Sequence, residues 1–173
     1  LQLVIDLYNL AYAALILTGG TLADLFGRRR IFLAGTAIFA LGSAVCALAP
    51  DAGTLIIGRG IAGLGAAFEL PAALAILNIA FPDHRARARA IAIWGGMNGL
   101  AMAIGPTLGG VLVDAFGWRS LFYAILPVAA ATAGLATRFV PETRDTEGRR
   151  FDVAGQGLAM AALASVSLAF SGR

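Results

Sequence analysis

Charge is what this sequence has least of. Asp, Glu, Lys and Arg together make up 13% of its 173 residues, about half the roughly 25% of a soluble globular domain. Lysine is absent, so all thirteen basic residues are arginine. Apolar residues take the vacated share: 59% of the chain is hydrophobic and the mean hydropathy is +0.82. A water-soluble fold of this size cannot hide that much apolar surface, so the composition describes an integral membrane protein. The single cysteine, Cys46, lies inside an apolar run; it excludes a disulfide framework and a cysteine metal site and reads as a small core filler. One histidine, His84, sits among loop charges and reads as solvated. Without a His/Cys cluster, a phosphate-cradling motif or a nucleophile beside a base, the chain is not expected to be an enzyme. No metal, no bound cofactor and no nucleic-acid partner is expected.

The ends lack signals too. The chain opens at Leu1 with no initiator Met and no basic n-region, and it stops abruptly at Ser171-Gly172-Arg173. The expectation is a fragment of a longer protein rather than a cleavable signal followed by a domain.

What is present is a series of long apolar runs. A bilayer core of about 30 Å needs roughly 20 apolar residues of helix, and six stretches meet that length, at about 3–23, 31–49, 54–80, 88–113, 121–140 and 153–171. They are too long, and too little alternating, for barrel strands. The predicted fold class is therefore all-α, a polytopic helical membrane protein. The arginines orient it. Connections after the first, third and fifth spans hold Arg28, Arg29 and Arg30, then Arg85, Arg87 and Arg89, then Arg138, Arg144, Arg149 and Arg150. The intervening connections hold Asp51, and Asp114 with Arg119. Ten arginines thus share one side, which the positive-inside rule makes cytoplasmic.

An internal repeat organises the runs. The stretch 19–32, reading GGTLADLFGRRRIF, returns ninety positions later over 109–122 as GGVLVDAFGWRSLF, with eight of fourteen positions identical. Three spans separate the copies, so they lie on opposite membrane faces. That is an inverted-topology repeat, an architecture of secondary transporters.

At the first copy, Gly20 and Gly27 permit a tight turn, Asp24 ends one helix, and Arg28, Arg29 and Arg30 begin the next. One account of the arginines is a positively charged turn that sets topology. The carboxylate of Asp24 beside them also allows charge-assisted bonds that hold in one conformation only. The pattern Gly20-x-x-x-Asp24-x-x-Gly27-Arg28-Arg29 resembles the loop signature of the major facilitator superfamily between that family's second and third helices. The resemblance implies that the first visible span is the second helix, with the first helix missing, and that the turn is a gate latch. Leu25 departs from the basic residue usual there.

Two charges lie within spans. Arg59 would cost about 2.5 to 3.5 kcal/mol in hydrocarbon, so it either faces a protein interior or wet cavity, or snorkels outward from about 8 Å of helix below Thr54. Arg59 followed by Gly60, Gly63 and Gly65 resembles the family's fourth-helix pattern, implicated there in proton coupling, although Ala62 replaces the usual Gln. Glu69 lies deeper, two residues before Pro71, which can let the helix bend. A lone carboxylate at that depth is expected to hold a proton unless it is hydrated or paired. It serves either as a coupling or substrate-binding group or as a neutral acid hydrogen-bonded between helices.

The next span carries small residues four apart, Gly95 with Gly99, Ala101 with Gly105 and Gly105 with Gly109, a face another helix can approach closely. Gly105-Pro106 with Gly109-Gly110 also resembles the antiporter signature of the family's fifth helix, found in exporters, with Ala101 in place of an earlier Gly. Asp114 and Arg119 resemble an outer counterpart of the cytoplasmic turn, and Trp118 fits an interfacial anchor. Asp6, Tyr8 and Asn9 face either a substrate path or the interface.

The expected organisation is residues 1–140 as most of an N-terminal six-helix bundle without its first helix, 141–152 as a cytoplasmic linker, and 153–173 as a further, truncated transmembrane helix. So short a linker is similar to that of the fourteen-span drug:proton antiporters. The implied function is proton-coupled efflux of drugs or other small hydrophobic or cationic molecules by alternating access, in the inner (plasma) membrane. Arg59 and Glu69 would couple protons, and a proton gradient would replace any cofactor. The expected partners are the lipid bilayer, a small-molecule substrate, and the missing first helix and C-terminal half. The alternatives are a facilitator importer or uniporter of metabolites, and a scaffold or sensor of the same fold.

Overall fold

The computed structural model of the chain describes residues 18–144 together with residues 12, 15 and 16. The expected span over 153–171, the linker beyond residue 144, and Asp6, Tyr8 and Asn9 lie outside the described residues.

The described residues form helices joined by short turns, with no strand among them. The first helix ends over residues 18–26 (α1) and is followed by α2 (Arg28–Ala47), α3 (Ala52–Ala80), α4 (His84–Phe116) and α5 (Ser120–Phe139). The last four are each long and apolar enough to cross a membrane. At 1.5 Å per residue, the 29 residues of α3 and the 33 of α4 run about 43 and 50 Å. Both exceed the apolar core of a bilayer. The surplus of α4 is its first turns, which carry Arg85, Arg87 and Arg89.

All four of these helices start before the apolar runs do, and in α3 and α4 the reason is a polar cap, which lies outside any apolar window. Asp51 accepts from the Thr54 N–H at 2.9 Å and so caps α3, and Asp83 accepts from the Ala86 N–H at 2.8 Å and caps α4. At its other end, α2 stops at Ala47 rather than the expected 49. Ala49 precedes Pro50, whose ring disfavours helical backbone at that position.

The α2–α3 seam is built from glycine. A Cβ on Gly35 would fall 2.7 Å from the Glu69 nitrogen and 2.8 Å from the Gly65 carbonyl oxygen; one on Gly58 would fall 2.6 Å from Cys46 Sγ. Added Cβ atoms on Gly42 and Gly65 would likewise run into the backbones of Ala62 and Phe39. Gly35 faces Gly65 and Gly42 faces Gly58, at seven-residue intervals on antiparallel helices. The backbones touch where any side chain would hold them apart, which supplies packing where no water is present to drive association. Thr36 and Ser43 on the same helix donate back to the Phe32 and Phe39 carbonyls at 3.0 and 2.8 Å, so their burial strands no hydroxyl.

Helix α5 packs on α2 and contributes the buried Ala129 and Ala136. Helix α1 lies on α3: Gly19 sits against the Ala67 carbonyl with no space for a Cβ. Helix α4 is different, since none of its residues is buried. A Cβ on Gly95, Gly96, Gly99, Gly105 or Gly110 would meet nothing within 4 Å, and one on Gly109 only a Leu121 methyl at 3.6 Å. Among the described residues, then, no helix occupies the small-residue face of α4.

Two predictions follow from these contacts. Gly42→Ala should cost about 1 to 3 kcal/mol by overpacking, whereas Gly134→Ala, whose Cβ meets nothing within 4 Å, should gain up to about 1 kcal/mol from lost chain entropy. Thermal unfolding of the detergent-solubilised protein reads both, and equal effects would contradict the seam. At the α3 cap, the Thr54 N–H and then its hydroxyl hold the Asp51 carboxyl below its ordinary range. The folded value is the lower one, so the cap's contribution is present at neutral pH and is lost as pH falls through that lowered value. Hydrogen exchange at the Thr54 amide should quicken relative to α3's interior on acidification.

Candidate functional site

The arginine-rich turn is set by Gly27. Its φ of +111° is open to glycine but strained for other residues. Its N–H closes α1 on the Ala23 carbonyl at 3.2 Å, and its own carbonyl starts α2 by accepting from Ile31 at 3.0 Å. A Cβ here would also fall 2.5 Å from a Glu142 carboxylate oxygen. Conformation and space both demand glycine.

Asp24 and Arg28 flank the turn. Asp24 Oδ1 accepts from Arg28 Nη2 at 2.7 Å and from Nε at 3.1 Å. Their side chains are 18% and 11% exposed, so this pair is largely shielded from the solvent that makes surface ion pairs weak.

Gly27 offers no side chain to cap α2, and the cap comes from the far end of the described chain. Glu142 Oε1 accepts from the Arg29 N–H and Oε2 from the Arg30 N–H, each at 3.2 Å. The Thr143 carbonyl accepts from the Arg28 N–H at 2.9 Å. Three successive first-turn amides, orphaned by helix geometry, are thereby satisfied, two of them by a carboxylate at the positive end of the helix dipole. The exchange is reciprocal: Arg29 Nη1 donates at 3.0 Å to the carbonyl of Val140, the residue that ends α5. The Arg29 and Arg30 Nε atoms also stand 3.8 and 3.7 Å from Glu142 Oε2. Asp24, Gly27, Arg28 and Arg29 thus belong to one latch joining α1, α2 and α5. Gly20 lies a turn away, where a Cβ would approach Pro71 of α3 at 3.7 Å.

The second copy of the repeat sits at the opposite end of the helices. Gly117 matches Gly27 and is the other residue with positive φ among those described, at +80°. Arg119 matches Arg29, and its Nη2 donates at 2.7 Å to the carbonyl of Ala49, in the turn between α2 and α3. Arg28, however, is matched by Trp118, which stacks under the Arg119 guanidinium at 4.4 Å. Both copies cross-brace a neighbouring helix end through an arginine, and the arginine-rich copy adds a carboxylate lock.

Arg59 and Glu69 are not brought together. They lie ten residues, or about 15 Å, apart on α3. Arg59 is half-buried near Cys46 of α2. Glu69 is half-buried on the side facing α2 and α5, with Thr36 as a hydrogen-bonding neighbour. It lines two cavities. The larger, about 620 Å³, includes Phe32, Trp94, Thr132 and Phe139; the smaller, about 270 Å³, includes Thr36, Phe39, Val128 and Thr132. Gly105, Pro106, Gly109 and Gly110 are on α4, away from these side chains.

Glu142 was not singled out from the sequence, where it lies in a mixed-charge stretch read as linker. Removing it should unlatch the turn. Glu142→Ala is expected to cost about 1.5 to 3 kcal/mol, the range for hydrogen bonds to a charged partner, and to speed hydrogen exchange at the Arg29 and Arg30 amides. Unchanged exchange there would show that the cap contributes nothing.

The family model described as Major Facilitator Superfamily matches residues 1–172. The multidrug resistance protein Stp of Mycobacterium tuberculosis is 45% identical over 166 residues, covering 96% of this chain and 31% of its own length. The methylenomycin A resistance protein of Streptomyces coelicolor is 39% identical over 96% of the chain and 35% of its own length. The multidrug efflux pump LfrA of Mycolicibacterium smegmatis is 39% identical over 86% of the chain and 30% of its own length. The chain spans about a third of the length of these relatives. With a family match over nearly every residue and four described helices able to cross a bilayer, the chain belongs to the major facilitator superfamily.

Proposed function

We propose that the full protein of which these residues form a part is a proton-coupled exporter of drugs or similar small hydrophobic or cationic molecules, working by alternating access in the plasma membrane. The observation that carries this is Glu69, a carboxylate within a membrane-spanning helix and open to apolar cavities large enough for an organic molecule. A charge at that depth is expensive to keep without a use. The relatives' names, which speak of multidrug resistance and efflux, point the same way.

Each group then has a part. Glu69 takes up and releases the proton, and Arg59, on the same helix, responds to that change of charge. The latch of Asp24, Gly27, Arg28 and Arg29, completed by Glu142, holds the cytoplasmic side in one conformation. Moving α2 or α5 away from the other strips the three amide bonds and the Arg29 bond together, which favours two discrete states over a continuum. The helix with Gly105, Pro106, Gly109 and Gly110 restricts leak. The energy comes from the proton gradient, without a bound cofactor.

Everted membrane vesicles carrying the full-length protein test this. After acidification of the interior, added lipophilic cations should partly collapse the pH gradient. Glu69→Gln should reduce that collapse at least tenfold, and Arg59→Ala should weaken it. Undiminished exchange in both variants would overturn the coupling assignment, and substrate uptake instead of extrusion would mark an importer.

A further inference from the structure

We propose that Thr36 is a positioning residue for the proton step: its single hydroxyl hydrogen changes acceptor with the charge of Glu69, and the change is felt at the start of α2, beside the arginine-rich latch. The proposal deepens the function above and rests on Glu69 as the group that takes up and releases the proton.

One hydrogen faces two acceptors. A threonine hydroxyl has a single O–H to donate and two lone pairs. Thr36 Oγ1 gives that hydrogen to the Phe32 carbonyl of its own helix, at 3.0 Å. Glu69 is its hydrogen-bonding neighbour across the seam, and both residues line the smaller cavity. Thr36 is only 3% exposed, so bulk water is not at hand to replace a lost partner.

The proton on Glu69 decides the direction. When protonated, Glu69 donates to the Thr36 oxygen while the hydroxyl keeps its bond to Phe32, a chain in which every hydrogen has an acceptor. When ionised, Glu69 only accepts, and a hydrogen bond to a charged acceptor is roughly twice as strong as a neutral one. The Thr36 hydrogen therefore turns to the carboxylate. The Phe32 carbonyl is not stranded, because it keeps its helical bond from the Thr36 N–H. No proton passes through Thr36; the one that Glu69 releases leaves by the cavity at its carboxyl.

Location gives the switch its consequence. A hydroxyl bonded to the carbonyl four residues earlier bends its helix, and releasing that bond lets the turn relax. The turn concerned, residues 32–36, follows directly on the one whose Arg28, Arg29 and Arg30 amides are held by Thr143 and Glu142. The back-bond and the latch are present together in the structure. The back-bonded α2 is thus the latched form, and ionisation of Glu69 loosens it.

Few other charges compete for the acid. The cavity linings contributed by α2, α4 and α5 hold no second ionisable residue. On the α1 side the described titratable residues are Tyr12 and Asp24, and Asp24 is paired with Arg28. On α3 itself Arg59 lies about 15 Å away. Glu142 is in the latch and is common to every variant below.

The test uses the full-length protein in lipid nanodiscs, with two readouts across the pH range in which Glu69 titrates. Difference infrared spectroscopy reports the carboxyl C=O band of protonated Glu69, identified by its loss in Glu69→Gln. Thr36→Val, which removes the hydroxyl and nearly keeps the shape, should move that band to higher wavenumber, while Thr36→Ser should leave it in place. Hydrogen exchange, corrected for its intrinsic pH dependence, reports the latch. Protection of the Arg29 and Arg30 amides should fall about fivefold as Glu69 ionises, the effect of one ordinary hydrogen bond. Thr36→Val should abolish that fall, Thr36→Ser should keep it, and Glu69→Gln should hold protection at the protonated level. If Thr36→Val does not yield a folded protein by size-exclusion and thermal unfolding, Thr36→Ala takes its place with the same expectations. A band unmoved in Thr36→Val, a fall in protection that survives there, or the absence of any titrating Glu69 band would overturn the switch. Equal loss in Thr132→Val would overturn it as well, by assigning the hydroxyl to α5. Vesicle exchange separates this from the transport function: exchange in the unmodified protein with a latch indifferent to Thr36→Val overturns the switch alone. The expected bands and protection without proton exchange overturn transport and leave the switch standing.

Discussion

Helix ends are the costly points of a membrane bundle, because amides and carbonyls that lack intrahelical partners cannot rely on water once they approach the apolar layer. The arginine-rich end meets this constraint by exchange. Glu142, just past the end of α5, caps α2, and Arg29, at the start of α2, satisfies the carbonyl that ends α5. Neither helix end is complete without the other. Gly27 is the hinge of this arrangement, since its positive φ turns the chain from α1 into α2 and its missing Cβ leaves the space that Glu142 fills. The ion pair of Asp24 with Arg28 closes the α1 side of the same turn.

The repeat gives that constraint a second form. At the far end Gly117 and Arg119 reproduce the positive φ and the arginine-to-carbonyl brace, seated on Ala49. The asymmetry lies in what surrounds them. Trp118 stands where Arg28 would be, and a cation–π stack replaces a shielded ion pair. Cation–π contacts at exposed sites contribute about 0.5 to 1 kcal/mol, less than a set of charge-assisted bonds at a helix terminus. One backbone motif therefore gives a stronger clasp on the arginine-rich side and a weaker one opposite.

The helices were legible because apolar length is a direct consequence of bilayer thickness, and the described spans match to within a few residues. The misses are at the ends, where Asp51, Asp83 and Pro50 act outside any apolar average. The repeat was legible as sequence identity, and its two key glycines carry matching backbone conformations. Glu142 was not legible. Its role depends on residues 140–143 reaching a turn more than a hundred positions earlier, and nothing local distinguishes a capping glutamate from one in a charged linker. The glycines divide in an instructive way. Four-residue spacing drew attention to α4, where the described residues place nothing on the small face. The contacts actually made are Gly35 and Gly42 on α2 with Gly58 and Gly65 on α3, spaced by seven, a periodicity that shorter motifs do not reveal.

That seam connects packing to chemistry. Gly35 and Gly65 bring the α2 and α3 backbones together beside Glu69, whose hydrogen-bonding neighbour across the seam is Thr36 of α2. With Gly35 against its backbone nitrogen, the acid is displaced to the flank of α3 and opens onto the cavities beside α5. The same α5 ends at Val140, whose carbonyl is held by Arg29. The helix that walls the Glu69 cavities is thus also the helix fastened by the latch, and the larger cavity extends to Val140 itself. A displacement of α5 that releases the latch must change the volume around the acid. One helix, α5, borders both the arginine-rich turn and the cavities at Glu69.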